Sequence, residues 1–128
     1  GMIPPGGRMP FELVVADVQG VASVNLSVNA RPSSEAVRQD FEFSALNAWS
    51  QDSAYCVGGT LRNPGGQVQE YLVIAAVLYD AQNNVVNFGD YYAPDPGVVA
   101  GDATLNFSIC VDPPNSDVAR YELRAWGR

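Results

Sequence analysis

The sequence has no histidine and no lysine. Its seven basic residues are all arginine, at positions 8, 31, 38, 62, 120, 124 and 128. Without an imidazole there is no Ser-His-Asp triad, and without a lysine amine there is no Schiff base and no P-loop lysine. Two cysteines with no histidine fall short of the usual zinc sites, so neither a metal nor a cofactor is expected. Charged residues make up only 16% of the chain, and 14 of them are acidic, so the net charge is −7. That charge repels phosphate, which argues against nucleic acid and anionic lipid as partners. Long apolar runs are missing too. The longest, Tyr71 to Tyr79, is the size of a strand, whereas a bilayer span needs about 20 residues. No membrane insertion is expected of this sequence, and its Gly1-Met2 start reads as the scar of a cleaved tag.

What is present suits a globular β protein. The chain has 128 residues, 47% of them apolar, with nine prolines and 12 glycines as punctuation. No segment holds an i, i+3, i+4, i+7 apolar pattern for three turns, so almost no helix is expected. Short alternating runs predict strands at 11–15, 21–28, 41–46, 55–62, 68–79, 85–92, 104–111 and 118–126. Val68 to Tyr79, apolar on both parities, reads as the central strand. Asn63-Pro64-Gly65-Gly66 and Asp80-Ala81-Gln82-Asn83-Asn84 are turn signals. Turns about every ten residues point to an all-β, antiparallel sandwich of about six to eight strands.

The two ends of the chain resemble each other. Phe11, Leu13, Val15 and Leu26 fall on Phe107, Ile109, Val111 and Leu123. Residues 1–32 therefore read as a β-hairpin resembling the end of a preceding, truncated repeat. Residues 33–40 read as a linker and 41–128 as a whole sandwich domain. The alternative is chance similarity between generic strands. A lone hairpin is marginal. Residues 1–30 are thus expected to be β-strands that bury apolar surface, with a homodimer through this segment one way to do so.

From residue 41 onward the sequence resembles the FxLYD-type domain family. The resemblance rests on Val57-Gly58-Gly59-Thr60-Leu61-Arg62-Asn63 and on Val77-Leu78-Tyr79-Asp80. Val85-Val86, Gly101 with Phe107 and Ile109, and Tyr121-Glu122-Leu123 also match. It covers about two-thirds of the chain and departs at Ala76, where the family has Phe. The resemblance implies an immunoglobulin-like sandwich of an extracytoplasmic prokaryotic protein, without an assigned activity. In an immunoglobulin-like order the strands carrying Cys56 and Cys110 are antiparallel neighbours. Parity puts both cysteines on the outer face, early residue against late, within disulfide reach. The alternative is two reduced thiols, the state a cytosol maintains. No tryptophan lies between the cysteines, so the Cys-Trp-Cys pattern of antibody domains is missing.

The motif also has a reading of its own. Leu78 points to one face and Tyr79 to the other, and the Asp80 carboxylate is placed to accept from the turn amides of Gln82 or Asn83. This is a corner device and not a catalytic pair. Other signals are thin. Asn25-Leu26-Ser27 and Asn106-Phe107-Ser108 match the glycosylation sequon. Asp90, Asp95, Asp102, Asp112 and Asp117 sit in loops or at strand ends without calcium-loop spacing. Tyr91 and Tyr92, with Trp49, are candidates for an exposed aromatic platform. No catalytic residue is assigned. The expected function is that of a noncatalytic, immunoglobulin-like module of a secreted or cell-envelope protein, bacterial in origin, with a structural or protein-contact role. A carbohydrate- or peptide-binding module built on Tyr91, Tyr92 and Trp49 is the alternative. A hydrolase using two facing carboxyls is a third reading.

Overall fold

The computed structural model describes residues 3, 5–16, 19–34, 37–95, 97, 99–112 and 117–128. The chain divides into two compact units, Gly1–Glu35 and Ala36–Arg128. The second unit is all β. Its six strands are β1 (Glu42–Gln51), β2 (Ala54–Arg62), β3 (Leu72–Tyr79), β4 (Val85–Tyr92), β5 (Thr104–Val111) and β6 (Arg120–Gly127). They form two three-stranded antiparallel sheets, in the orders β1-β2-β5 and β4-β3-β6. There is no α-helix among the described residues.

The alternation in the sequence explains which faces meet. Val57, Leu61, Phe107, Ile109 and Val111 line the inner face of the first sheet. Leu72, Ile74, Ala76, Leu78 and Ala125 line that of the second, and all ten belong to one buried cluster. Each of the larger side chains contributes about 1.5–3 kcal/mol on burial. Phe43 meets Phe107 edge-on across the first sheet, with ring centroids 5.7 Å apart. Gly89 on β4 lets that strand approach β5. A Cβ there would fall 2.7 Å from a Val111 methyl and 2.9 Å from an Ile109 methyl.

A β-bulge shapes β1. Ser44 pairs with Thr60 and Asn47 with Gly58, so one extra residue is inserted, and Ala45 takes φ = 50°. A one-residue shift exchanges the two faces of a strand. Phe43 therefore faces the core while Trp49, paired with Cys56, faces outward. The predicted strand at 41–46 thus continues to Gln51 and turns at once. Asp52 (φ 48°) and Ser53 (φ 75°) make the two-residue hairpin loop into β2.

The sequence reading needs correction in three places. Residues 68–71 lie outside β3, although Val68 is fully buried. The backbone N–H groups of Gln69, Glu70 and Tyr71 converge on the Arg128 carbonyl. Within 33–40, Arg38 is bridged to Gly127 at the end of β6, so this stretch is not all linker. The larger correction concerns 11–15 and 21–28, which form no strand among the described residues. Phe11, Leu13, Val15, Val24, Leu26 and Val28 are 54–78% exposed. The hairpin expected there took its template from the matching segments at the other end of the chain. Those segments are β5 and β6, which lie in different sheets and do not pair with each other. Each is held by another strand, β5 by β2 and β6 by β3. Among the described residues of the first unit no strand partners 11–15 or 21–28, and alternation alone does not hold a strand in water.

Candidate functional site

On the outer face of the first sheet, Cys56 and Cys110 stand directly opposite each other on β2 and β5. They form a disulfide with Cα atoms 4.0 Å apart. Cys56 is fully buried while Cys110 is exposed. Trp49 lies on the same face, one strand over. Its benzo ring rests above Gly58, where an added Cβ would come within 3.2 Å of two ring carbons. The rest of this face is polar. The Thr60 hydroxyl donates to Asn106 Oδ1 at 2.9 Å, and Arg62 bridges Glu42 and Asp102.

The corner between β3 and β4 is built around Asp80. Its Oδ1 accepts from the backbone N–H groups of Gln82 and Asn84, both at 2.8 Å, and its Oδ2 from the Asn84 side chain at 2.9 Å. These bonds hold the Asp80 carboxyl below the usual range. Asn83, one of the two amides predicted to serve Asp80's side chain, instead donates to the Asp80 carbonyl and takes φ = 63°. Leu78 is buried in the core. The Tyr79 hydroxyl donates to Glu122 Oε2 at 3.0 Å, and the Arg120 guanidinium sits 3.8 Å from the Tyr79 ring centre. Arg120 and Arg124 also bridge Glu122. The Tyr79 bond, reinforced by the two arginines, holds Glu122 below its ordinary value. Burial, and then the same bond, push Tyr79 up.

Asn63, singled out in the sequence as a turn residue and as the end of the Val57–Asn63 stretch of the resemblance, is the buried polar centre of the opposite end. Its side-chain amide donates to the carbonyls of Gly66, Val99 and Ala100. Its Oδ1 accepts from Gly65 N–H and from Arg38. Arg38 in turn binds both Asp40 oxygens and the Gly66 carbonyl. The sequence signal was Asn63 itself, closing a strand ahead of Pro64-Gly65-Gly66. Arg38 gave no signal. Trp126 is 4% exposed, and its indole N–H finds no acceptor in the structure.

The expected aromatic platform is not assembled. Tyr91 packs against the core, opposite Ile74. Tyr92, 65% exposed, lies on the outer face of the second sheet, and Trp49 on the outer face of the first. Among the described residues no three His, Cys, Asp or Glu side chains gather as a metal site, and no helix is long and apolar enough to cross a membrane.

The described residues also form a concave feature. A groove of about 350 Å³ is lined by Gln39, Phe41, Phe43, Leu123, Arg124 and Ala125. It runs between the start of β1 and the outer edge of β6, which ends its sheet. The lining joins four apolar side chains to the Gln39 amide and the Arg124 guanidinium. Compared with protein-family models, with curated proteins and with solved structures, the chain matches none of them.

Proposed function

We propose that this chain is a noncatalytic, immunoglobulin-like module of a secreted or cell-envelope protein, with a structural or protein-contact role. The observation that carries this reading is how the polar side chains are used. Asp80, Glu122, Tyr79 and Asn63 are each engaged in closing a corner or joining strands. The two-sheet architecture and the corner roles of Asn63, Tyr79 and Asp80 support the immunoglobulin-like and FxLYD-type readings. The Cys56–Cys110 bridge supports an oxidising compartment, because such bonds persist outside the cytosol. The chain is then a rigid spacer or contact unit, and the groove along β6 is a concave surface available for contact.

Two measurements test this. Intact mass after alkylation of the native, nonreduced protein is expected to show no labelled thiol. Two labelled cysteines would remove the extracytoplasmic reading. Tyr79→Phe and Glu122→Gln are expected to lower the melting temperature. Turnover of a glycan or peptide library by the wild type that Glu122→Gln abolishes would overturn the noncatalytic reading. The carbohydrate-binding alternative keeps one observation in its favour, the half-exposed Trp49 ring over Gly58 on an otherwise polar sheet face. Titration of oligosaccharides against tryptophan fluorescence, with Trp49→Ala as control, tests it.

A further inference from the structure

Among the described residues, the outer edge of β6 pairs with no strand and carries only the bridge to Arg38. Gly127 exchanges both backbone hydrogen bonds with Arg38 on the side away from β3. Residues two apart in an antiparallel strand direct their backbone groups the same way. Ala125, Leu123 and Tyr121 therefore turn their N–H and C=O groups outward. Among the described residues no strand lies along them. Beside this edge is the groove, where Phe41, Phe43, Leu123 and Ala125 are joined by Gln39 and Arg124. A ladder edge beside a groove with four apolar lining side chains is the geometry that accepts an added strand.

The same chain carries a segment of matching chemistry. From Ala22 to Ala30, Ala22, Val24, Leu26, Val28 and Ala30 alternate with Ser23, Asn25, Ser27 and Asn29. The segment bears no charge and has one apolar and one hydrogen-bonding face, as an edge strand over a core requires. Among the described residues it forms no ladder, and Val24, Leu26 and Val28 are 78%, 54% and 75% exposed.

We infer that the β6 edge takes residues 22–30 of a second copy of this chain as a seventh strand. Val24, Leu26 and Val28 enter the groove, and the exchange is reciprocal. The interface is then self-complementary and closes as a two-fold dimer. The inference rests on the immunoglobulin-like reading, in which a further strand pairs beside β6. It adds the partner and the place. Neutral strands also let two chains of charge −7 meet without placing carboxylates in the contact.

The test uses the full chain. Sedimentation velocity from about 1 µM to about 100 µM is expected to show a monomer–dimer equilibrium. The double variant Val24→Asp/Leu26→Asp is expected to weaken it by about a hundredfold or more. Both sites lie outside the sandwich core, so the variant's fold is checked by an unchanged thermal transition and an intact Cys56–Cys110 bridge. Hydrogen exchange at the Leu123 and Ala125 amides is expected to slow as concentration rises in the wild type and not in the variant. A wild type that stays monomeric throughout overturns the inference. So does a dimer that survives in the double variant, or amide protection independent of concentration, which would mean an occupant from the same chain. These outcomes leave the noncatalytic reading standing, because it is tested by thiol labelling and turnover.

Discussion

At the scale of single residues, one buried polar side chain has the largest structural consequence. Asn63 is fully buried, and its amide joins the 63–66 turn, the 99–100 loop and Arg38. Asn63→Ala would take this partner from the Gly66, Val99 and Ala100 carbonyls, from the Gly65 N–H and from the Arg38 guanidinium. A buried polar group left unsatisfied costs about 1–3 kcal/mol. The expected loss is about 2–4 kcal/mol in urea unfolding, with the m-value unchanged. The ionisable residues set the pH range. Glu122, Asp80 and Asp40 are all held below their ordinary values, Asp40 first by its bond to Arg38. A lowered carboxyl stabilises the fold above its unfolded pKa, about 3.9–4.3, and that stability disappears as pH falls through the folded pKa. Tyr79 and Tyr55 are raised, chiefly by burial, so the unfolded chain ionises first on the alkaline side. The melting temperature is expected to be flat between about pH 5 and 9, falling below about pH 4 and above about pH 10. Glu122→Gln should shrink the acid-side fall, and an unchanged acid limb would contradict this account.

At the scale of elements, the close contact of β4 with β5 depends on Gly89. Gly89→Val would drive a branched side chain into Val111 and Ile109, where even a Cβ has no room. Overpacking of this kind costs about 1–3 kcal/mol. Thermal unfolding should show the full loss for Gly89→Val and a smaller one for Gly89→Ala. Equal melting temperatures for all three proteins would show that the sheets can separate freely here. The alternation that identified β2, β4, β5 and β6 was legible because each has a more buried and a less buried face, and β3 was legible as a short run apolar on both parities. The face of Trp49 was not legible. It depends on the bulge at Ala45, and alanine carries no local signal for positive φ.

At the scale of the molecule, the Cys56–Cys110 bridge joins residues 54 apart in sequence and ties β2 to β5. In the chain-entropy argument a loop of this length stabilises by about 4 kcal/mol, chiefly by restricting the unfolded chain. Reduction is expected to lower the urea midpoint and raise the m-value, since the reduced unfolded chain exposes more surface. Equilibrium unfolding with and without reductant checks both. An unchanged midpoint would mean that the bridge adds nothing to the fold.

The sequence by itself determined the β class, five of the six strands to within a few residues, the β3–β4 corner and the parity that faces the two cysteines. All of these follow from period-two alternation and turn chemistry, which are local. Tertiary structure alone decided the rest. It brought Arg38 to Asn63 across 25 positions, sent Tyr91 inward and separated Tyr92 from Trp49 on opposite outer faces. It also decided that 21–28, as well patterned as β5, stays outside any ladder in its own chain. A strand is held by its neighbours' backbone groups and by a surface to cover, and neither is written in the strand's own residues.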